Sequence, residues 1–419
     1  MTLLFLGDAF PFPTTTGGRE RDLHLARVLA ESLDVELVVL GAATPHQPER
    51  LRLVSAGPKP SRLWALLTSW RLPYEVTRHD SRRLRRVVGS CRWSTVQASH
   101  AYTMRPALAA GAPVVLDAHN VETEVARSAA RLERTRSRRA RGAWEARKLE
   151  RFERAQVPRA DVVLATSDDD ASALASFGAR ELVVIPNGVD TAAVAHRLPG
   201  PGSEVLYVGS YDYLPNAAAA GELVTEVLPR LRATVADATL RLVGRQPPVS
   251  PTPDRPWLRV SGEVSEVLPF IRQARVTVAD ATLRLVGRQP PVSPTPDRPW
   301  LRVSGEVSEV LPFIRRARVT VLPLRAGGGT RLKVLEALAA GLPVVSTRFG
   351  VAGLGLVPER HVLLGETPTE LAAQAARIIT DDGLAATLSS AGRAEVERRF
   401  DWRTVAAPLA AVHARLAAR

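Results

Sequence analysis

Residues 321–354, VLPLRAGGGTRLKVLEALAAGLPVVSTRFGVAGL, leave the chain few architectures, because they read as strand, glycine turn, helix and strand in close succession. VTVLPL (319–324) is β-rich and apolar, the pattern of a strand buried on both faces. Gly327, Gly328 and Gly329 let the backbone turn tightly and approach a ligand without a Cβ in the way. Thr330 is placed to cap the helix that follows, and Leu332, Leu335, Leu338 and Ala339 supply its apolar face. Gly341 ends that helix, Pro343 blocks its continuation, and PVVST (343–347) is the next strand. A βαβ unit of this kind belongs to a parallel α/β sheet.

The same stretch carries chemistry. Free N–H groups and the helix dipole make a glycine turn at a helix N-terminus a ready anion site. Arg331 and Lys333 add two cations in the first turn, where the dipole disfavours them unless an anion sits there. Glu336 follows about one and a half turns into the helix, within reach of a polar group beside the anion. Phosphate followed by hydroxyl is the pattern of a nucleotide diphosphate with its ribose. An ordinary βαβ turn explains the glycines but not the clustered Arg, Lys and Glu.

AGGGTRLKVLEALAAGLPVVST resembles the donor-site segment of glycosyltransferases of family 4, whose GT-B fold sets two Rossmann-like domains face to face. The resemblance implies that Glu336 holds the ribose hydroxyls. It implies that Gly328, Gly329 and Thr330, with Arg331 and Lys333, hold the diphosphate. Most of that family pairs this Glu with another eight residues earlier; here the earlier position is Gly328, as in a GGGTRLK branch of the family.

The chain opens with a second unit of the same kind, FLGDAFPFPTTTGGRERDLHLARVLAESLDVELVVLG. Here LLFL is a buried strand, Gly17 and Gly18 occupy the loop before the helix, and Leu23, Leu25, Val28 and Leu29 face a core. The resemblance expects this loop to face the donor phosphates and the acceptor. PVVLDAHNVE (113–122) places His119 at a strand's carboxyl end beside Asp117, Asn120 and Glu122, where open α/β sheets bind ligands. The family has a functional His in the corresponding segment, so the resemblance makes His119 the catalytic candidate. ELVVIPNGVDT (181–191) resembles the passage between the two domains. After it, EVLYVGSYDYLPN (204–216) gives a strand with Gly209 opening its loop, but without the Arg and Lys that clamp the diphosphate in many relatives. Arg331 and Lys333 are the expected replacements.

Three further segments have bland readings beside functional ones. Asp168, Asp169 and Asp170 invite a metal, but Ser167 before them is an N-cap and acids in the first turn suit the dipole, so no metal site is expected. Residues 124–157 read as one long Arg/Glu-rich helix with a buried stripe of Trp144, Leu149 and Phe152. Its charges alternate in sign, which favours a solvated face over a nucleic-acid groove. Residues 60–92 combine Trp64, Leu66, Leu67 and Trp70 with Arg78, Arg82, Arg83, Arg85 and Arg86. That is either a helix packed by Trp with a solvated Arg face, or a membrane-interface surface.

Composition bears on partners. The formal charge of +13 is in part compositional, since the cations are almost all Arg and go with an Ala- and Pro-rich, GC-biased usage; beyond that it calls for an anionic partner, either nucleic acid or the anionic leaflet of a membrane. Aromatic RNA-binding signatures and zinc spacings are missing, so no nucleic acid is expected. The single cysteine, Cys91, excludes an intramolecular disulfide and a thiolate metal cluster. No run approaches a membrane span, and MTLLFLGDAF lacks the basic start of a signal peptide. A cytoplasmic protein is expected, peripheral at the inner face of the plasma membrane if the basic surface binds lipid.

Residues 234–278 and 277–321 are one sequence repeated with an offset of 43 residues, differing only at Gln273 and Arg316. Two copies do not make a solenoid. Each supplies strand, Pro-rich loop, strand and helix, and a domain of this kind needs the unit once. The sheet can therefore take its strands from either copy. The expected organisation is an acceptor-side Rossmann-like domain at 1–188, a nucleotide-sugar domain at 189–400 with units 234–276 and 277–319, and a helix at 401–419 returning to the first domain. The resemblance implies a retaining glycosyltransferase with no essential metal or other cofactor. Its partners would be a nucleotide-sugar donor and a lipid-linked or saccharide acceptor. A sugar-nucleotide epimerase or hydrolase of the same fold, a basic nucleic-acid-binding protein and an inactive scaffold are the competing readings.

Overall fold

The computed structural model describes residues 1–8, 17–41, 51–133, 135–211, 213–244, 258–260, 283–285, 301–304, 311–326 and 331–418. Its first half runs β1 (Thr2–Gly7), α1 (Gly17–Ala30), β2 (Asp34–Val39), β3 (Arg52–Ser55), α2 (Arg62–Thr68), α3 (Tyr74–His79) and α4 (Arg82–Val88). It continues with β4 (Thr95–Ser99), α5 (Met104–Ala107), β5 (Val114–Ala118), α6 (Glu122–Leu132), α7 (Arg136–Gln156), β6 (Val162–Ala165), α8 (Asp168–Ser176) and β7 (Leu182–Val184). The strands pair in parallel in the order β3-β2-β1-β4-β5-β6-β7. Gly17 and Gly18 belong to the first turn of α1 rather than to the loop before it.

The second half contains β8 (Glu204–Val208), α9 (Leu214–Glu222), α10 (Leu228–Thr234), β9 (Thr239–Val243), β10 (Leu258–Val260), β11 (Leu283–Leu285), β12 (Leu301–Ser304) and α11 (Leu311–Ile314). Then come β13 (Val319–Leu322), α12 (Leu332–Ala339), β14 (Val344–Ser346), β15 (Leu363–Leu364), α13 (Pro368–Thr380), α14 (Asp382–Arg399) and α15 (Trp402–Ala417). Its main sheet, also parallel, has the order β12-β9-β8-β13-β14-β15. In both sheets the strand order reverses beside the first strand, β1 against β4 and β8 against β13. Ligands of open α/β sheets bind at such reversals, outside the strands' carboxyl ends.

The repeat is divided between two sheets. Chain continuity ties β9 of the first copy to α10 before it, and α11 and β13 of the second copy to α12 after them. The main sheet then fills the position beside β9 with β12 of the second copy, Leu301 opposite Leu240. The two leftover strands, β10 and β11, pair with each other, Leu258 opposite Leu283. These residues are the repeat partners of Leu301 and Leu240, so the surplus pair reproduces the same register.

The two halves are tied where the chain crosses between them. Val189 N–H donates to Phe400 C=O at 2.8 Å, and Trp402 N–H to Val189 C=O at 3.3 Å. Gly188 is required there, because a Cβ would lie 2.8 Å from the Trp402 ring and 2.9 Å from Phe400 O. Beyond the crossing, α15 packs on the first sheet through Trp402, Val405, Leu409, Val412 and Leu416. Its buried His413 bonds Gln97 at 2.9 Å and Thr95 at 3.0 Å, and burial pushes it down to about 4, so it docks as a neutral ring.

Three expectations need correction. The segment 124–157 is not one helix: α6 ends at Leu132 and α7 starts at Arg136, capped by the Thr135 side chain. Trp144 is not buried but 51% exposed; Leu149 and Phe152 form the buried stripe with Ala146 and Glu153. The Trp-packed reading of residues 60–92 also fails, since Trp64 and Trp70 are both exposed. No described helix is long and apolar enough to cross a membrane.

Candidate active site

The first sheet reverses where α1 meets the ends of β4 and β5, and a charged cluster is buried there. Arg21, on α1, forks onto Asp117 at 2.7–3.1 Å and reaches Pro186 O and Asn187 Oδ1 at 3.1 and 3.0 Å. His119 Nε2 lies 3.0 Å from Ser99 Oγ, 3.3 Å from Asp22 and 3.4 Å from Asp117. Burial alone would push the His119 imidazolium down, but Asp117 and Asp22 outweigh it and raise it to about 9. Against the same burial, Arg21 and His119 hold the Asp117 carboxyl below the usual range. Two cations face two carboxylates with no net charge, which is how charge is tolerated in a dry interior.

The other ring nitrogen of His119, Nδ1, is buried without a hydrogen-bond partner among the described residues. It faces Gly18, where a Cβ would sit 3.4 Å from Nδ1 and 3.6 Å from His100 Nε2. His100 lies against His119 with ring centres 4.0 Å apart, and its Nδ1 pairs with Glu122 at 2.8 Å. Its φ of +68° is a left-handed backbone that a His adopts only at a cost, a sign of local constraint. A cationic His119 whose Nε2–H is already engaged keeps one N–H, at Nδ1, to donate to a ligand.

The three ligand atoms of Asp22, Asp117 and His119 lie within 4.8 Å of one another, close enough to raise a metal reading. Arg21 already forks onto Asp117, so a divalent cation there would compete with the guanidinium for that carboxylate. At Asp168–Asp170, Ser167 accepts from Asp170 N–H, the cap expected there.

The second reversal, between β8 and β13, brings Gly209, Arg331, Lys333 and Glu336 together. Lys333, in the first turn of α12, donates from Nζ to Asn216 Oδ1 at 2.6 Å and lies 4.9 Å from the Tyr207 ring centre. Asn216 in turn bonds Ser210 O at 2.9 Å, and a Cβ on Gly209 would come within 3.1 Å of its amide. Lys333 therefore projects into the loop after β8. Burial lowers the Lys333 ammonium to about 7, although Glu336 pulls it up. Arg331 occupies the N-cap position and lies over the Phe349 ring at 4.6 Å. Burial raises the Glu336 carboxyl, with Lys333 opposing.

The two sites face each other. Glu20, in the first turn of α1, is raised by burial and by the charge of Glu336 on α12 of the other half. Burial lowers the Arg331 guanidinium while Tyr213 and Asp170, the latter on α8 of the first half, pull it up, and a Cβ on Gly353 would meet Ser167 at 3.2 Å. Gly18 and His119 thus meet on one side, and Gly209, Lys333 and Glu336 converge on the other. Gly328, Gly329 and Thr330 lie outside the described residues. The sequence reading missed Arg21, Asp22, Ser99, His100 and Asn216. Its one available signal was Arg21-Asp22 standing at buried positions of an otherwise apolar helix face.

Comparison with known proteins agrees with this geometry. Residues 18–193 match the Glycosyltransferase Family 4 profile, and residues 264–381 match Glycosyl transferases group 1. No curated protein matches the chain in sequence. Among solved structures, sucrose-phosphate synthase from Thermosynechococcus elongatus shares 19% identity and a TM-score of 0.64, covering 100% of this chain and 99% of its own. Anabaena HepE, solved with UDP and glucose, shares 16% identity and a TM-score of 0.62, with 99% of both chains covered. WaaG, a glycosyltransferase involved in lipopolysaccharide biosynthesis, shares 14% and 0.58, covering 98% of this chain and 99% of its own. These likenesses give the GT-B fold. With both halves matched by profiles of one kind, the protein belongs to the family 4, group 1 glycosyltransferases and is a sugar-transferring enzyme.

Proposed function

We propose that the protein moves a sugar, with retention at the anomeric carbon, from a nucleotide-diphosphate sugar to a saccharide or lipid-linked acceptor in polysaccharide or glycoconjugate biosynthesis. The observation that carries this reading is Lys333, a buried amine at Asn216 and Gly209 with suppressed charge. A diphosphate arriving there supplies the counter-charge the site lacks. Neighbours of the same fold were solved with UDP and with UDP-glucose, which supports a donor of that class.

As the bond to the sugar breaks, negative charge builds on the departing diphosphate. Lys333 and Arg331 are placed to take it up, and preorganised charge of this kind is usually the largest catalytic term. Glu336 holds the ribose hydroxyls. His119, cationic and fixed by Asp22 and Asp117, donates from Nδ1 to the sugar or acceptor and orients it. With Lys333 and Arg331 supplying at the diphosphate the positive charge a divalent cation would otherwise supply, the reaction proceeds without an essential metal, and activity in EDTA should equal activity with added Mg²⁺.

A thermal-shift screen across UDP-, GDP- and dTDP-sugars identifies the donor. Product analysis with and without acceptor then separates transfer from the competing reading, since an epimerase or hydrolase turns over without acceptor. The anomeric configuration of the product, read by NMR, tests retention.

A further inference from the structure

Helix α2 is amphipathic in the wrong direction for a soluble surface. Leu63, Leu66, Leu67 and Trp70 recur at helical spacing, and together with Trp64 they keep between 49% and 70% of their surface exposed. The helix buries Ala65 alone. Isolated exposed apolar side chains need no explanation, but five on one short segment mark an interaction surface.

A basic pocket adjoins the end of this helix. Arg71, Arg105, Lys148 and Arg151 line a cavity of about 270 Å³ with Leu72, Pro73 and Phe152. Lys148 is anchored by Ser69 O and Leu72 O at 2.6 and 3.2 Å and pairs with Glu145, while Arg105 pairs with Asp80 at 3.3 Å. Arg71 lies over the Trp70 ring at 4.2 Å, so one cation sits directly on the apolar patch. Neither Arg71 nor Arg151 has a carboxylate partner among the described residues, and the pocket keeps a positive balance. Trp144, also exposed, stands one turn before Lys148 on the same side of α7. Arg62, at the start of α2, and Arg82, Arg83 and Arg86 of α4 are exposed.

We propose that this face docks on an anionic phospholipid bilayer, with α2 lying in the interface and Arg71 and Arg151 at the pocket taking a lipid phosphate. Two features single out a membrane over a protein partner. The tryptophans and leucines lie beside unpaired arginines rather than inside a polar rim with both charges, and Trp with Arg is the composition of interfacial helices. The whole chain is also strongly cationic, at +13, which draws it to an anionic leaflet.

The test is co-sedimentation of the full chain with vesicles of phosphatidylglycerol and phosphatidylcholine in equal parts, and with phosphatidylcholine alone. Binding is expected to the first and not the second. It should weaken as salt rises from about 0.1 M to about 1 M, where the Debye length falls from about 10 Å to about 3 Å. The double variant Trp64→Ser/Trp70→Ser should lose affinity by at least roughly tenfold from lost apolar burial. Arg71→Gln and Arg151→Gln should each lose roughly fivefold, the worth of one cation near the surface. Free glycerol phosphate should not release the bound protein. Circular dichroism of each variant checks that it is folded, and both tryptophans are exposed. Wild-type vesicle binding by the folded Trp variant, or equal binding to neutral vesicles, overturns the proposal. So does a dimer, seen by light scattering without lipid, that the Trp variant dissociates, because the face is then an interface between copies.

Discussion

Removing one copy of the repeat is the sharpest perturbation of the fold. Deleting residues 245–287 joins Gly244 to Arg288 and leaves β9 followed by β12 with one Pro-rich loop between them. Because the copies are identical there, this gives the same protein as deleting 234–276. The described core of the second half draws on Val235, Leu240, Leu242 and Val243 from the first copy and on Ile314, Val319, Val321 and Leu322 from the second copy and its end. All of these survive, and what is lost among the described strands is the separate pair β10 and β11. The connection from β9 to β12 becomes about fourfold shorter, which by loop closure alone stabilises the fold by roughly 1 kcal/mol. For a chain of this size that is a rise in melting temperature of about 2–4 °C at most. Differential scanning calorimetry of the two proteins, with sugar transfer measured alongside, reads both outcomes. If β10 and β11 instead belonged to a packed extension of the sheet, each large buried side chain lost would cost about 1.5–3 kcal/mol. A deletion protein that is insoluble, or that melts well below the full chain, refutes the reasoning.

Three other outcomes are expected at the site. His119→Ala should lower turnover far more than donor affinity, as expected for a contact made mainly in the transition state; full activity in steady-state kinetics would return His119 to a structural role. His119 is raised from about 6.5 unfolded to about 9 folded, so its contribution to stability is complete below pH 6.5 and fades as pH rises through 9. Denaturant melts across that window should show the decline, and Asp117→Asn, which leaves Arg21 and His119 underbalanced, should flatten it at a cost of about 3–5 kcal/mol. Arg331→Ala should weaken donor binding by about 1.5–3 kcal/mol, the worth of a hydrogen bond to a charged group, and unchanged calorimetric affinity would remove it from the site.

The parts of the protein legible in the sequence are those whose determinants lie close together. Residues 319–347 spell out strand, turn, helix and strand within one segment, so periodicity and punctuation are enough to give β13, α12 and β14. Lys333 and Glu336 were visible because they share that helix. The buried cluster was not, because Arg21, Asp22, Ser99, Asp117 and His119 come from three distant segments. They meet only once β1, β4 and β5 lie side by side. His100 carries no local mark of its left-handed backbone. Trp144 was misjudged because α7 is charged nearly all round, so one Trp cannot tell which face is buried; the outward turn of α2 escaped the sequence for the same reason in reverse. Asn216 became informative only when Lys333 was seen to reach it.

The central claim, that Lys333 waits at Asn216 for a donor diphosphate, is tested by calorimetry of donor binding in two buffers of different ionisation enthalpy. Lys333 lies near pH 7 in the free protein, so at that pH binding a dianionic diphosphate should take up about half a proton. Lys333→Met should lower the uptake to what the raised Glu20 and Glu336 carboxyls contribute, and weaken the donor. Proton uptake near zero in the wild type, or a Lys333→Met variant that binds the donor as tightly with the same uptake, would contradict the account.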